Sequence, residues 1–224
     1  MIGFEIHSRQ RAVSAALVEQ FRQVPVANVS DCMSRMTAGG ARLRPMHDGS
    51  VLAGPALTVR CRPGDNLLVH KALDLAAPGD VIVVDAGGDL TNAIIGEIMT
   101  TYAQHRGIGG MVINGAIRDS AALRQSSFPV YAAGVTHRGP YKDGPGEING
   151  PIALDGMIVE PGDLVVGDAD GLLCIPFDQV DAVHRAAADK QAAEAQTFAQ
   201  IAAGEFDTRW IDARLAQLGC EGVR

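Results

Sequence analysis

Arg118 and Asp119 stand side by side in the segment GGMVINGAIRDS (109–120), directly after an apolar run. An arginine presents a planar fork of donors that suits a carboxylate, whereas an aspartate offers hard oxygen atoms to Mg²⁺ or Mn²⁺. Gly115, between the apolar run and the two charges, lets the backbone approach a ligand closely. An exposed ion pair at a helix start would also explain the two charges. Their position after a buried strand favours a binding site.

A second candidate is the stretch GEIM (96–99), which lies inside a segment typical of an amphipathic helix over 91–107. A glycine inside a helix costs about 1 kcal/mol relative to alanine. One explanation is that the helix begins near residue 96 and that its free N–H groups bind an anion. The alternative places Gly96 and Glu97 on the exposed side of the longer helix. The apolar stripe of that longer helix would consist of Ile94, Ile95, Ile98, Met99 and Tyr102.

Other motifs that carry chemistry are missing from the sequence. The chain contains no GxGxxG, P-loop or GxSxG pattern, which disfavours dinucleotide, nucleotide and serine-hydrolase sites. The segment GDADG (167–171) lacks the remaining ligands of a calcium loop and is predicted to be a tight turn. Zinc-site spacing is absent among the histidines His70, His105 and His137.

The elements that must position these residues are strands separated along the chain by helices. The strands show no alternation of apolar and polar residues, which predicts a parallel sheet covered on both faces. The predicted strands cover 51–62, with a break at Gly54-Pro55, 81–88, 109–115 and 128–134. The predicted helices cover 8–23 with Ser8 as N-cap, 29–36, 64–76, 91–107 and 118–125. Ligands bind at the carboxyl ends of such strands. If two of these strands are neighbours, the loops carrying Asp85 and Arg118 are expected to face one crevice.

The pattern changes after residue 135. Residues 136–151 are rich in glycine and proline and are predicted to be a long loop. Residues 157–176 read as three strands joined by turns, which is typical of antiparallel pairing. Helices are predicted over 178–203 and 207–219. Because these helices have few partners nearby in the sequence, we expect them to reach another subunit.

The composition excludes several classes of partner. The 224 residues are 47% hydrophobic and 20% charged, and the net charge of −7 argues against a nucleic-acid surface. No segment is long and apolar enough for a membrane helix, and the first residues are too polar for a secretion signal. Four cysteines without metal spacing indicate reduced thiols. We therefore expect a cytoplasmic protein with a small-molecule partner, and neither nucleic acid nor membrane as partner.

Two long segments resemble a known family. The segments PGDVIVVDAGGDLTNAIIGEIMTTYAQHRGIGGMVINGAIRDS and VEPGDLVVGDADGLLCIP are similar to the 4-hydroxy-4-methyl-2-oxoglutarate / 4-carboxy-4-hydroxy-2-oxoadipate aldolases. That family also contains the regulator of ribonuclease E activity A. The resemblance covers about residues 25–215. It implies an α/β swivelling-type α/β/β sandwich with a parallel-containing central sheet, a second strand layer and C-terminal helices. We expect one domain over 1–224 with a helical extension at 178–219.

The resemblance also implies roles for single residues. Arg118 holds the pyruvyl unit, and Asp119 ligates a divalent metal, Mg²⁺ or Mn²⁺, partly through waters. The backbone amides of the 96–99 stretch bind carboxylate or enolate oxygens, and Glu97 orients a water at the metal. A glutamate from the C-terminal helix of an adjacent subunit completes the site in a trimer or hexamer. The best match is Glu194, with Glu205 as the alternative. The substrate-binding set is thus Gly96, Glu97, Ile98, Met99 and Arg118.

The implied activity is class II aldol cleavage of a 4-hydroxy-2-oxo diacid to pyruvate, with oxaloacetate decarboxylation as a side reaction. A Schiff base is the other route to an aldolase, but no lysine follows a buried strand among Lys71, Lys142 and Lys190. The family pattern has Asp where this chain has Asn114, which could change metal affinity or substrate preference. The alternative function is a non-catalytic regulator that binds and inhibits a ribonuclease.

Overall fold

The computed structural model describes residues 3–36 and 41–222, and the chain forms two compact units, Met1–Ala187 and Ala188–Arg224. The strands are β1 (Phe4–Ile6), β2 (Arg44–Pro45), β3 (Leu52–Cys61), β4 (Val81–Asp85), β5 (Ala93–Ile95), β6 (Gly110–Ile117), β7 (Val130–Val135), β8 (Gly146–Ile148), β9 (Ile152–Leu154), β10 (Met157–Val159), β11 (Leu164–Gly167) and β12 (Leu172–Ile175). The helices are α1 (Ala15–Phe21), α2 (Val26–Cys32), α3 (Leu67–Leu75), α4 (Glu97–His105), α5 (Ser120–Leu123), α6 (Val180–Ala203) and α7 (Arg209–Gln217).

The first unit is built on a mixed sheet with the strand order β1-β8-β3-β4-β6-β7-β2. Its four inner strands β3, β4, β6 and β7 run parallel. All eight residues of β6 and the first four residues of β4 are buried. Such continuous burial is what strands covered on both faces require. The predicted parallel layer is confirmed.

Strand β3 belongs to two strand layers. Its residues 52–55 pair antiparallel with β11, and from Ala56 onward it pairs with β4. The predicted break at Gly54-Pro55 is wrong, because the strand is continuous over ten residues. A Cβ at position 54 would overlap the carbonyl oxygen of Gly79, so this glycine allows the turn before β4 to approach. The dipeptide therefore marks a change of pairing partner and not the end of a strand.

Three groups of buried apolar side chains hold the layers together. Helices α3 and α4 pack on one face of the central sheet, where Ile82 and Val84 point. Val81 and Val83 point to the opposite face, against the hairpin β9–β10 and strand β12. A third group lies between β11–β12, helices α1 and α2, and the first turns of α6. The predicted α/β fold, with a parallel-containing central sheet, a second strand layer and C-terminal helices, is confirmed.

Several predicted boundaries are wrong. Helix α1 begins at Ala15 and not near Ser8, because the Ser14 hydroxyl accepts the N–H of Leu17 at 3.3 Å and caps the helix there. The predicted helix over 29–36 is α2, which starts directly after Pro25. The predicted loop over 136–151 contains β8, which pairs with β1 and β3. Antiparallel pairing is confirmed for β11 and β12, whereas β10 pairs with β9.

The second unit is helical. The helices predicted over 178–203 and 207–219 are present as α6 and α7. Large apolar side chains of this unit are exposed, namely Phe198, Ile201, Phe206, Trp210, Ile211, Leu215 and Leu218. Among the described residues, no helix is long and apolar enough to cross a membrane. The assignment of residues 1–224 to one domain stays a prediction.

Candidate active site

The segment before α4 is a strand and not the first part of a helix. The predicted helix over 91–107 is wrong at its start, because residues 93–95 form β5 and pair with β6. Ile94 and Ile95 are buried there, whereas Ile98 is 80% exposed and cannot belong to a buried stripe. Helix α4 starts at Glu97, with Gly96 as its N-cap. The interpretation in which the helix starts near residue 96 is confirmed, and the longer helix is wrong.

Arg118 and Asp119 follow the end of β6 and lie against the start of α4. Asp119 adopts a left-handed conformation with φ of 57° and is the N-cap residue of α5. Its Oδ2 accepts a hydrogen bond from the backbone N–H of Glu97 at 3.0 Å. The Arg118 Nε lies 3.7 Å from the same oxygen, and both side chains remain about two-fifths exposed. The pair is thus anchored to α4 and still open to a ligand.

Gly96 makes this close approach possible. A Cβ at this position would overlap the Oδ2 atom of Asp119 and lie 2.9 Å from the Cγ of Arg118. The backbone of Gly96 is extended, a conformation that any residue adopts, so the requirement for glycine here is one of space. The glycine that interrupts the apparent helix in the sequence is therefore part of the Arg118–Asp119 arrangement.

These residues line a cleft with a volume of about 150 Å³. Of the predicted site residues, the structure brings together Gly96, Ile98, Met99, Arg118 and Asp119. The Glu97 side chain is exposed beside the cleft and is not part of its lining. The lining also includes residues that the sequence did not single out for this site, namely Asn66, His70, Ile94, Ile95, Pro140 and Lys142.

The backbone amides at the start of α4 are not equally available to a ligand. The N–H of Glu97 is taken by Asp119, and the N–H of Met99 donates to the carbonyl oxygen of Gly96 at 3.1 Å. Within the described residues, the N–H of Ile98 meets no acceptor. A helix N-terminus favours anions because its first N–H groups lack partners and the helix dipole is positive there. The Ile98 amide is therefore the N–H group of this stretch that is open to an anion.

Asn66 lines the cleft and carries an unsatisfied acceptor. Its side chain is 2% exposed, and its Nδ2 donates to the carbonyl oxygen of Ile94 at 2.8 Å. The Oδ1 atom is buried and has no hydrogen-bond partner among the described residues. A buried acceptor without a donor costs about 1–3 kcal/mol, which marks Asn66 as an unsatisfied polar residue of the cleft lining.

The charge of the cleft suits anions. Arg118 and Lys142 bring two positive charges, against the single carboxylate of Asp119. Burial, together with the nearby charge of Lys142, lowers the pKa of His70 below its ordinary value, so its ring is neutral at pH 7. Local charge of one sign in a cleft concentrates ligands of the opposite sign. A net positive lining in a chain of charge −7 indicates an anionic ligand.

The other strand-end loop forms a separate polar cluster. β4 and β6 are neighbours, and Asp85 is paired in register with Asn114. The Nδ2 of Asn114 donates to Asp85 at 3.1 Å, and its Oδ1 accepts from Arg42 at 3.3 Å. Arg42 also forms two hydrogen bonds with Asp155. Asp85 and Asn114 are outside the cleft lining, so the two loops do not share this crevice. An aspartate at 114 would place two carboxylates in contact, which the amide avoids.

The two glutamates assigned to an adjacent site lie in the second unit. Glu194 is on α6, where its carboxylate lies 3.6 Å from the Nζ of Lys190, and Glu205 is exposed after the end of that helix. Their part in a site of a neighbouring copy stays a prediction. In the described part of the chain, no three His, Cys, Asp or Glu side chains are grouped so that they could hold a metal.

The chain is similar to known proteins over most of its length. A sequence model of the RraA-like family, described as Aldolase/RraA, matches residues 26–174. A protein of Halalkalibacterium halodurans named "Putative 4-hydroxy-4-methyl-2-oxoglutarate aldolase" is 43% identical over 175 residues, which are 78% of this chain and 83% of that protein.

Two solved structures show the same fold. The RNA-processing inhibitor RraA from Thermus thermophilis has a TM-score of 0.64 and 32% identity, and the match covers 69% of this chain and 93% of that chain. An uncharacterized protein from Pseudomonas syringae pv. tomato has a TM-score of 0.77 and 24% identity, with 86% and 95% of the two chains covered.

Proposed function

This chain belongs to the RraA-like family, and we propose that it is a divalent-metal-dependent aldolase that cleaves a 4-hydroxy-2-oxo diacid to pyruvate and a second oxo acid. The observation that carries the proposal is the positively charged cleft in which Arg118 and Asp119 lie against the start of α4. The aldolase name of the relative with 43% identity supports a lyase.

The cleft offers separate groups for the two ends of a 2-oxo acid. The guanidinium of Arg118 presents a fork of donors to the 2-oxo and carboxylate oxygens. The N–H of Ile98 is the unused donor at the start of α4 and binds the same end. We assign the hydroxyl group on C4 of the substrate to Asn66, a polar residue of the cleft lining with an unpaired side-chain oxygen. These contacts hold the bond between C3 and C4 beside the charged groups.

The donors of the cleft fit Mg²⁺ or Mn²⁺. Mg²⁺ keeps several waters and takes only one or two carboxylates from a protein, and Asp119 supplies one such carboxylate. Its Oδ2 is engaged by the Glu97 N–H, while its Oδ1 meets no donor in the described part of the chain. Asp119 and the waters near Glu97 would hold the ion together with the substrate. When bound, the ion supplies Lewis-acid stabilisation of negative charge on the 2-oxo acid.

In this proposal, the side chains at the cleft catalyse the aldol cleavage in the following steps. A water held by Glu97 takes the proton of the C4 hydroxyl, and the C3–C4 bond breaks to release the second oxo acid. The electrons of that bond move into the enolate of pyruvate, whose oxygen is stabilised by Arg118. A proton returns to C3 to give pyruvate. Loss of CO₂ from oxaloacetate would form the same enolate, so oxaloacetate decarboxylation is the proposed side activity.

Pyruvate release with Mg²⁺ or Mn²⁺, measured with a lactate dehydrogenase coupled assay, tests this proposal. We expect EDTA to abolish the release and added Mg²⁺ to restore it. Arg118→Ala should lower kcat by about 10²–10³-fold, the usual effect of losing a donor to a developing oxyanion. The control is Arg124→Ala, because Arg124 is exposed and lies outside the cleft lining. Equal activity of the two variants would contradict the proposal.

A Schiff-base route is the alternative chemistry, because the structure places Lys142 in the cleft lining although no buried strand precedes it. A lysine adduct with pyruvate would be trapped by borohydride and would survive EDTA. The proposal predicts neither result.

The alternative function is a regulator that binds a ribonuclease, and the 32% identity to an RNA-processing inhibitor favours it. Inhibition of ribonuclease E by a chain that releases no pyruvate from any 4-hydroxy-2-oxo acid would support this alternative.

A further inference from the structure

The loop 140–145 is fastened to the turn 62–67 by a buried carboxylate. Asp65 is fully buried, and its Oδ2 accepts the backbone N–H groups of Asp143 at 2.7 Å and Gly144 at 2.9 Å. Its Oδ1 accepts the N–H of Leu67 at 3.0 Å. One side chain therefore joins the start of α3 to the loop that carries Lys142.

Backbone hydrogen bonds fix the other side of Lys142. The N–H of Tyr141 donates to the carbonyl oxygen of Gly64 at 2.8 Å, and the N–H of Asn66 donates to that of Tyr141 at 3.0 Å. Lys142 thus lies between two anchored residues, Tyr141 and Asp143. The position of its Cα is set by the turn 62–67, which also supplies Asn66 to the cleft.

Within the part of the chain that the structure describes, Lys142 is a cation without an internal partner. It lines the cleft with Arg118, and among the described residues no carboxylate forms an ion pair with it. Its charge is close enough to His70 to act on the titration of that ring. The cleft already holds an arginine, which suits one anionic group. An anchored lysine without a carboxylate partner is suited to bind a second anionic group.

We propose that Lys142 binds the second carboxylate of the substrate and that Asp65 is the positioning residue that holds Lys142 in the cleft. The inference rests on the proposed function, because it concerns the end of the diacid that Arg118 does not bind. A 4-hydroxy-2-oxo diacid carries one carboxylate next to the oxo group and one at C4. Arg118 and the Ile98 N–H bind the first, and the ammonium group of Lys142 binds the second as a point charge. Lys142 therefore makes the cleft prefer diacids to monoacids.

The preference is measured as the ratio of kcat/KM for a 4-hydroxy-2-oxo diacid to kcat/KM for the same compound without the C4 carboxylate. Lys142→Met should lower this ratio by about 10–100-fold, the usual effect of losing a hydrogen bond to a charged group. Lys71→Met is the matched control, because Lys71 lies near Asp74 on α3 and outside the cleft lining. The control should keep the wild-type ratio. An unchanged ratio in Lys142→Met overturns the inference.

Asp65→Asn tests the positioning role in a double-mutant cycle. The amide keeps the shape of the side chain, but its NH₂ group would face backbone N–H groups that now donate to a carboxylate. We expect the single variant to lower the same ratio and to have no further effect on the ratio in the Lys142→Met background. Equal effects in both backgrounds would show that Asp65 does not act through Lys142. Circular dichroism verifies the fold of each variant, and Lys142→Met alone can overturn the inference if Asp65→Asn does not fold.

The two proposals fail in different ways. If the wild-type protein releases pyruvate from neither compound, the proposed function is wrong and the inference falls with it. If the wild type is active and Lys142→Met keeps its preference for the diacid, only the inference is wrong.

Discussion

Gly96 and Asp119 depend on each other at the start of α4. The carboxylate of Asp119 receives the first N–H of the helix, where negative charge is favoured by the helix dipole. It reaches this position because residue 96 has no Cβ and because Asp119 itself adopts a left-handed conformation. The hydrogen bond fixes Oδ2 and leaves Oδ1 for a ligand. Arg118, whose Cγ also packs near Gly96, is held beside it.

We predict that Gly96→Ala lowers pyruvate release by about 100-fold, on the scale of losing one oriented charged group. The added methyl group would overlap Asp119 and displace its carboxylate from the Glu97 N–H. Gly150→Ala is the control, because a Cβ there would make an ordinary contact with Glu147 at 3.4 Å. Steady-state kinetics compare the two variants, and thermal melting verifies that both fold. Full activity of Gly96→Ala would contradict this account of the site.

The elements around the site differ in how far the sequence could predict them. β4 and β6 are recognisable because both are continuous apolar runs, and the Arg118–Asp119 pair follows from its place after β6. β5 is missed because Ile94, Ile95 and Ile98 also fit a helical spacing, and only the pairing with β6 makes residues 93–95 a strand.

Lys142 and Asn66 enter the site through a contact between two loops that are distant in the sequence. Asp65 makes this contact through backbone N–H groups, which leave no residue pattern. Glycine and proline over 136–151 indicate only a loop, although loops on a rigid sheet often carry binding residues.

The turn 62–67 and the loop 140–145 should separate in acid. Burial opposes the ionisation of Asp65, but hydrogen bonds from Leu67, Asp143 and Gly144 and the charge of Arg62 outweigh it, so the pKa of Asp65 lies below its ordinary value. A carboxylate with a lowered folded-state pKa stabilises the fold fully above its unfolded pKa of about 3.9. That stabilisation is lost as the pH falls from there through the folded-state pKa.

We therefore predict that wild type and Asp65→Asn differ by a constant free energy of unfolding at pH 5–7, with the wild type more stable. The difference should shrink below about pH 3.9, as Asp65 becomes protonated. Urea unfolding at several pH values measures it. A difference that vanishes already between pH 7 and pH 5 would mean that the pKa of Asp65 is raised in the folded protein.

At the scale of the whole molecule, the second unit presents several large apolar side chains to solvent. Phe198, Trp210 and Leu218 are each more than three-fifths exposed. Large exposed apolar patches mark interaction sites. A second copy of the chain is the proposed partner, since the resemblance places the active site between subunits of a trimer or hexamer and assigns Glu194 to the neighbouring site.

Subunit complementation tests this arrangement. We predict that Arg118→Ala and Glu194→Ala are each nearly inactive, whereas mixed oligomers, isolated after co-expression with two different tags, recover activity. A site built from the Arg118 of one chain and the Glu194 of its neighbour is intact wherever the two variants meet in the right order. This is about a quarter of all sites for random association, and a larger share once oligomers that lack one tag are removed. If both residues acted within one chain, no intact site could arise and the mixture would stay inactive.

The variant Glu205→Ala, used in place of Glu194→Ala, distinguishes the two glutamates. If Glu205→Ala is inactive on its own and recovers activity when mixed with Arg118→Ala, the role belongs to Glu205. Full activity of Glu194→Ala on its own would show that Glu194 takes no part.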